Sequence, residues 1–395
     1  MLLERMRPFT STIFAEMSAL AVRTGAINLG QGFPDTDGPA SLLADAAANI
    51  TAGVNQYPPG PGVPALREAV AEHQRRFHGL AVDPEQVLVT SGATEAIAAA
   101  VLALCGPGDE VVTFEPYYDS YAATVALSGA TLRTVALRPP DFAFDEAELR
   151  AAFSERTRLV LVNTPHNPTG AVFGRAQLTL IGELAVAHDA VVVTDEVYEH
   201  MVYPDGPDGD AGEGHVAMGG LPGLADRTLT ISSAGKTFSV TGWKVGWVHG
   251  PPELVAATRA VKQFLTYVSG APFQPAIATA LALPDEFYRD LAADLRRKRD
   301  LLSDGLAAAG FTVFRPRGTY FVVTDVAQLG FDDGVEFCRR LPELAGVAAV
   351  PVSVFCTDPG LGRTLVRFAF CKRDEVLTEA AARLAGLRAR AGAGS

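Results

Sequence analysis

The sequence predicts an α/β fold: a large domain built on a mostly parallel central sheet flanked by helices, joined to a smaller α+β domain. Three observations carry this. Short β-rich runs alternate with helical patterns from about Val87 to Leu283, as a layered parallel sheet requires. After about Pro284 the pattern changes to one long amphipathic stretch followed by short strands. The chain has 395 residues, 48% of them hydrophobic, which is enough for a large core and a length of two to three domains.

In order along the chain, "QVLVT" precedes the helical "ATEAIAAAVLAL", "EVVTF" precedes "YYDSYAATVAL", and "RLVLVN" precedes "RAQLTLIGELAVAH", which leads into "AVVVTDE". In sheets of this kind ligands sit beyond the carboxyl ends of the strands, so the informative residues should follow each strand. Beyond Pro284, "EFYRDLAADLRRKRDLLSDGLAAAG" reads as a long helix. It is followed by the strands "GTYFVVTDV", "VAAVPVSVF" and "TLVRFAF" and the closing helix "RDEVLTEAAARLAGLRAR". The acidic, glycine-rich Asp205 to Gly214 fails the calcium-loop pattern, since Gly212 falls on a ligand position, and is expected to be a solvated loop.

A net charge of -12 leaves no general basic field for nucleic acid or anionic lipid. Cys105, Cys338, Cys356 and Cys371 are widely spaced, which suits buried reduced thiols better than a zinc site or a disulfide framework; no metal is expected. The longest wholly apolar run, Ala96 to Cys105, is too short for a bilayer. Glu4 and Glu16 interrupt the N-terminal apolar character, so the expectation is a cytoplasmic protein with no membrane partner.

"SSAGKTFSVTGWKVGW" holds Gly235-Lys236-Thr237, which resembles the end of a phosphate-binding loop. The early glycine that such a loop needs is missing, because Thr230 stands five before Gly235 within the strand-like "RTLTISS". The other main use of a lysine just past a strand is as an amine that condenses with a carbonyl, as in pyridoxal phosphate chemistry. That cofactor needs a phosphate site, an acid for its ring nitrogen, a donor for its phenolic oxygen and a surface for its ring.

The turn Thr90 to Ala96, with free amides at Ala93 and Thr94, offers an anion site at a helix start, although any strand-to-helix turn needs a cap. Ser233 adds a hydroxyl. Lys244 adds a charge among Trp243, Val245 and Trp247, a setting that calls for a buried anionic partner. Asp195 ends an apolar strand, where it would either pair with a pyridinium or cap a helix. Tyr198, three residues on, and Asn167, between two prolines, are within reach of a phenolic oxygen. Tyr118 offers a ring face or belongs to the core. His166 reads as a surface residue of its turn.

Together Lys236, Asp195, Tyr198, Asn167 and the Thr90 to Ala96 turn resemble the landmarks of fold-type I pyridoxal phosphate aminotransferases of class I/II, in order and over nearly the whole length. "NLGQGFPD", "NQYPPGPG", "EPYYDSY", "TPHNPTG", "TDEVYEHMVY" and "LVRFAFCK" resemble the kynurenine/glutamine transaminase branch and its actinobacterial N-succinyldiaminopimelate relatives. The resemblance implies an N-terminal arm with part of a small domain (1–41), a large cofactor domain (42–284) and a C-terminal small domain (285–395).

It also makes Lys236 the Schiff-base lysine and proton shuttle, Asp195 the partner of the pyridine nitrogen, and Asn167 and Tyr198 the holders of the phenolic oxygen. Tyr118 would stack on the ring. Ser233, Lys244, Ala93 and Thr94 would take the phosphate, with Tyr57 reaching in from a second subunit, hence a homodimer with shared sites. Arg367 would grip the substrate carboxylate, with Gly32 leaving room beside it. The implied reaction is ping-pong transfer of an amino group from an L-amino acid to a 2-oxo acid such as 2-oxoglutarate. The donor would be N-succinyl-diaminopimelate or a large aromatic, sulfur-containing or glutamine-type amino acid. Lysine at 244, where the wider class more often has arginine, is usual in this branch. A cysteine-S-conjugate β-lyase would use the same residues. A ring-forming lyase fits the motifs less well, and a ligand-sensing regulator would be expected to carry a basic DNA-binding domain. "FTSTIFAEM" and Phe264 to Gln274 are the segments expected to select the substrate.

Overall fold

The computed structural model describes residues 3–9, 13–203 and 214–387, so Asp205 to Glu213 of the acidic loop lies outside the described residues. In chain order the strands are β1 Ile27–Asn28, β2 Val87–Thr90, β3 Glu110–Glu115, β4 Thr131–Ala136, β5 Thr157–Asn163, β6 Val191–Asp195 and β7 Thr228–Ser233. They continue with β8 Gly246–His249, β9 Thr312–Phe314, β10 Phe321–Asp325, β11 Val347–Ala348, β12 Val350–Pro351 and β13 Leu365–Ala369. Seven form the main sheet, in the order β2-β8-β7-β6-β5-β3-β4. Every pairing from β7 to β4 is parallel, and β8 runs antiparallel to both of its neighbours. A four-stranded antiparallel sheet, β12-β13-β10-β9, and the parallel pair β1-β11 complete the β-structure.

The apolar runs explain why the central strands are central. Leu159, Val160, Leu161 and Val162 of β5 are all at 0% exposure, and successive side chains go to opposite faces. Val160 and Val162 join Val112 and Val192 on one face. Leu159 and Leu161 join Val111, Val193, Leu229 and Ile231 on the other. A strand buried on both faces must be apolar at every position, and each such side chain contributes about 1.5–3 kcal/mol. β4, at the sheet edge, is instead exposed or half-buried at every position but Val135.

The long helix Asp285–Ala309 stops at Gly310, whose φ of 97° is the left-handed ending that glycine allows. It packs against the closing helix Asp374–Ala385, and the core of this half gathers around Leu302, Phe337, Phe368 and Leu377. "VAAVPVSVF" forms two short strands and a 3-10 turn, Val352–Phe355, instead of one strand: β11 pairs with β1 and β12 with β13, so the chain changes sheet at Ala349, and the ladder ends at Pro351, which has no N–H to donate. Among the described residues no helix is long and apolar enough to cross a membrane.

Candidate active site

The parallel register aligns the ends of the strands. Asn163 of β5 pairs with Asp195 of β6, which pairs with Ile231 of β7; Ser233 of β7 and Thr90 of β2 both pair with Gly246 of β8. Residues at these ends border a cleft with about 720 Å³ of atom-free space. Its lining includes Ala93, Thr94, Tyr118, Asn167, Asp195, Tyr198, Ser233, Lys236 and Lys244.

Lys236 lies in the single helical turn Ala234–Thr237 that follows β7. Its Nζ donates to the Tyr320 hydroxyl at 3.0 Å and to the Gly32 carbonyl at 3.4 Å. Burial pushes its pKa down to about 8, against a smaller upward pull from Cys371 and Asp195. Asp195 is 4% exposed, and burial raises its carboxyl to about 6. The Tyr121 hydroxyl donates to its Oδ2 at 2.7 Å and the Val197 amide to its Oδ1 at 3.4 Å. Tyr198 follows in the same turn, and its ring meets Tyr320 edge to face at 5.4 Å.

Asn163 ties the neighbouring turn in place. Its Nδ2 donates to the Asp195 carbonyl at 2.8 Å and its Oδ1 accepts from the Asn167 amide at 2.8 Å. Asn167 Oδ1 in turn accepts from Arg367 Nη1 at 3.0 Å, while Arg367 Nη2 donates to the Gly30 carbonyl at 3.0 Å. Arg367 is 2% exposed, its guanidinium carbon 4.0 Å from the Phe321 ring centroid and 5.1 Å from that of Phe355. Burial lowers its pKa to about 10, and its Nε has no partner among the described residues. Gly32 sits where a Cβ would fall 2.6 Å from Phe321 Cζ.

At the other end of the cleft the helix Gly92–Leu104 begins, and its first amides lack intrahelical acceptors. Gly92 enters with φ of 76°, and a Cβ on it would lie 3.1 Å from Lys244 Nζ. A Cβ on Gly246 would fall 2.6 Å from the Gly92 carbonyl carbon, so strand and helix start touch backbone to backbone. Thr94 Oγ1 lies 3.5 Å from the Tyr118 hydroxyl.

Two readings of the sequence are corrected here. Lys244 is exposed, not enclosed among Trp243, Val245 and Trp247 as its neighbours suggested. Its left-handed backbone, φ 54°, turns it away from the buried Val245 and Trp247 and towards the helix start. His166 is 1% exposed, not a surface residue; its Nδ1 lies 2.8 Å from Thr169 Oγ1, and burial lowers its pKa to about 3.

Tyr57 is 81% exposed, away from the cleft lining, with its ring 5.4 Å from that of Tyr267. Of the two expected substrate segments, Thr10 to Thr12 lie outside the described residues, Phe14 lies 5.4 Å from the Arg367 guanidinium, and Phe264 is 84% exposed. The sequence reading missed Tyr121, Asn163 and Tyr320. Tyr121 follows Tyr118 by three residues at a helix start, a spacing that faces both toward one side. Tyr320 carried no signal beyond its place in a strand-like run.

The family model for aminotransferase class I and II matches residues 24–384. The chain belongs to that family. This aminotransferase is 53% identical over 402 aligned positions to a probable N-succinyldiaminopimelate aminotransferase of Mycobacterium tuberculosis, covering 99% of each chain. It is 44% identical to the methionine aminotransferase of Escherichia coli, covering 95% of each. The solved structure of N-succinyldiaminopimelate aminotransferase from Mycobacterium tuberculosis superposes with a TM-score of 0.94 at 53% identity, covering 98% of this chain and 100% of that one. The enzyme is therefore a fold-type I, pyridoxal phosphate-dependent transferase that moves amino groups between amino and 2-oxo acids.

Proposed function

We propose that Lys236 is the catalytic amine of this aminotransferase and that its amino donor is N-succinyl-diaminopimelate, with a 2-oxo acid such as 2-oxoglutarate as acceptor. The observation that carries the site assignment is one cleft lined by Lys236 and Asp195, with Arg367 bonded to Asn167 of the same lining, each with its charge disfavoured by burial. The donor assignment is supported by the full-length similarity to the mycobacterial relative of that name.

The residues present fit the cofactor. The opening amides of Ala93 and Thr94, the Ser233 hydroxyl and Lys244 form a cradle for a phosphate with no competing carboxylate in the lining beside them. Asp195 is the one acid of that lining, positioned by Tyr121 to hold a protonated ring nitrogen. Asn167 and Tyr198 would hold the phenolic oxygen and Tyr118 would cover the ring. When bound, pyridoxal phosphate supplies the carbonyl and the electron sink for the amino-group exchange.

Arg367, with Nε free and Nη1 already on Asn167, orients the substrate carboxylate. Lys236, whose pKa near 8 leaves a useful neutral fraction, takes the proton from the donor's Cα and returns it on the opposite side of the exchange. Tyr320 and the Gly32 carbonyl hold Nζ in line between these steps. The 2-oxo acid product leaves, and the acceptor runs the same proton transfers in reverse. We read the molecule as a cytoplasmic homodimer in which the exposed Tyr57 reaches the partner's cleft.

Purified enzyme given single amino acids or N-succinyl-diaminopimelate, without oxo acid, tests this by its absorbance. The long-wave cofactor band should bleach fastest with N-succinyl-diaminopimelate. A faster response to methionine or kynurenine would replace the donor assignment. Pyruvate and ammonia released from a β-substituted donor with the band retained would instead identify a β-lyase.

A further inference from the structure

Five of the chain's seven histidines gather behind the cleft: His73 and His78 on the helix Pro64–His78, His200 after Glu199, and His215 and His249. They surround two buried carboxylates, Glu196 at 0% and Glu199 at 6% exposure. Neither carboxylate has a lysine or arginine in ion-pair contact among the described residues. His78 Nε2 lies 2.7 Å from Glu199 Oε2 and His215 Nε2 lies 2.7 Å from Glu196 Oε2. The transamination steps use none of these groups.

His73 Nε2 and His200 Nε2 face each other at 2.7 Å. With a Glu199 oxygen they make a set of donor atoms all within 4.8 Å of one another. The Ser232 hydroxyl donates to Glu199 Oε1 at 2.7 Å, which orients the carboxylate as outer-shell partners orient a metal ligand. Gln74 Oε1, beside His73, and His249 Nε2 are buried without a hydrogen-bond partner among the described residues. A separate surface cleft is lined by Leu80, Thr230 and His249, so one of the five histidines borders solvent-filled space.

We propose that His73, His200 and Glu199 bind a divalent transition cation of the zinc type, distinct from the cofactor cleft. Two imidazoles and one carboxylate favour zinc, nickel or copper over magnesium or calcium, which prefer oxygen-only shells. Nitrogens sharing a tetrahedral zinc at about 2.0–2.1 Å stand about 3.3 Å apart, so the two rings must separate by about half an ångström on binding. A dication there offsets the buried negative charge and clips the Pro64–His78 helix to the turn that carries Tyr198 and Glu199. The three positions, 73, 199 and 200, follow no metal-binding spacing, so no local motif announces the site.

The test uses the full-length, cofactor-loaded enzyme, stripped with chelator and titrated with zinc chloride. Metal analysis, calorimetry and zinc X-ray absorption should give one tightly held zinc per chain with scattering from two imidazoles, and the melting temperature should rise. His200→Gln should abolish this stoichiometry while leaving the circular dichroism and the donor half-reaction intact. Ser232→Ala should weaken zinc binding by about 10–100-fold. Zinc that is not retained, that shows no imidazole scattering, or that binds His200→Gln with unchanged affinity would overturn the proposal.

Discussion

Lys236 is kept where its positive charge is disfavoured, with the Tyr320 hydroxyl and the Gly32 carbonyl accepting its protons. Its pKa of about 8 lies below the ordinary 10.5, so between those values the unfolded chain binds more protons than the folded one. Apoprotein stability attributable to this group therefore rises with pH across that window. Lys236→Met removes the penalty and should stabilise the apoprotein by on the order of 3 kcal/mol below pH 8, the gain fading as the pH climbs towards 10.5, as read by urea unfolding at several pH values. The same substitution, or Lys236→Ala, should lower transamination turnover by at least about 10⁴-fold in a single-turnover assay, since it removes the residue proposed as both amine and proton carrier. Arg367→Lys keeps the charge but loses the fork that spans Asn167 and Gly30, and should raise KM for the amino donor by about 10–100-fold with a smaller effect on kcat.

At the scale of elements, the cradle for an anion depends on how closely β8 meets the helix Gly92–Leu104. Gly246→Ala would push a methyl group to 2.6 Å from the Gly92 carbonyl carbon and should cost about 1–3 kcal/mol of stability. Pyridoxal phosphate affinity, measured by fluorescence on reconstitution, should fall with it, because the displaced amides are those proposed to hold the phosphate. Elements also explain what could be read in advance. Lys236, Asp195 and Asn167 stood out because each is a polar residue directly after a β-rich run, and parallel register brings such ends together. Tyr320 did not, since its contact with Lys236 spans 84 positions and joins two different sheets. The direction of Lys244 depends on one left-handed residue, and the burial of His166 on a turn that stacks it near Phe173 at 6.2 Å, neither of which has a local pattern.

For the whole molecule, the alternation of strand and helix and the change after Pro284 predicted the two sheets and their order of appearance. The antiparallel insertion of β8 was not foreseeable, because strand runs carry no mark of direction. Tyr57, Phe264 and Tyr267 are exposed by 81%, 84% and 52%, the two tyrosine rings 5.4 Å apart, and such exposure of large apolar groups suits burial against a second chain. Light scattering should therefore find twice the chain mass, and Tyr57→Phe should weaken cofactor retention without dissociating that dimer. The aromatic enclosure of Arg367 has one more consequence, for ionic strength. Phe14, Phe321 and Phe355 shield the guanidinium from mobile ions, and at 2% exposure it lies outside the reach of the screening that weakens surface charges. Raising salt from dilute buffer to physiological strength should therefore leave the grip on a seated carboxylate nearly unchanged, while it screens the repulsion between an anionic donor and a chain of net charge -12 and so speeds the donor's approach.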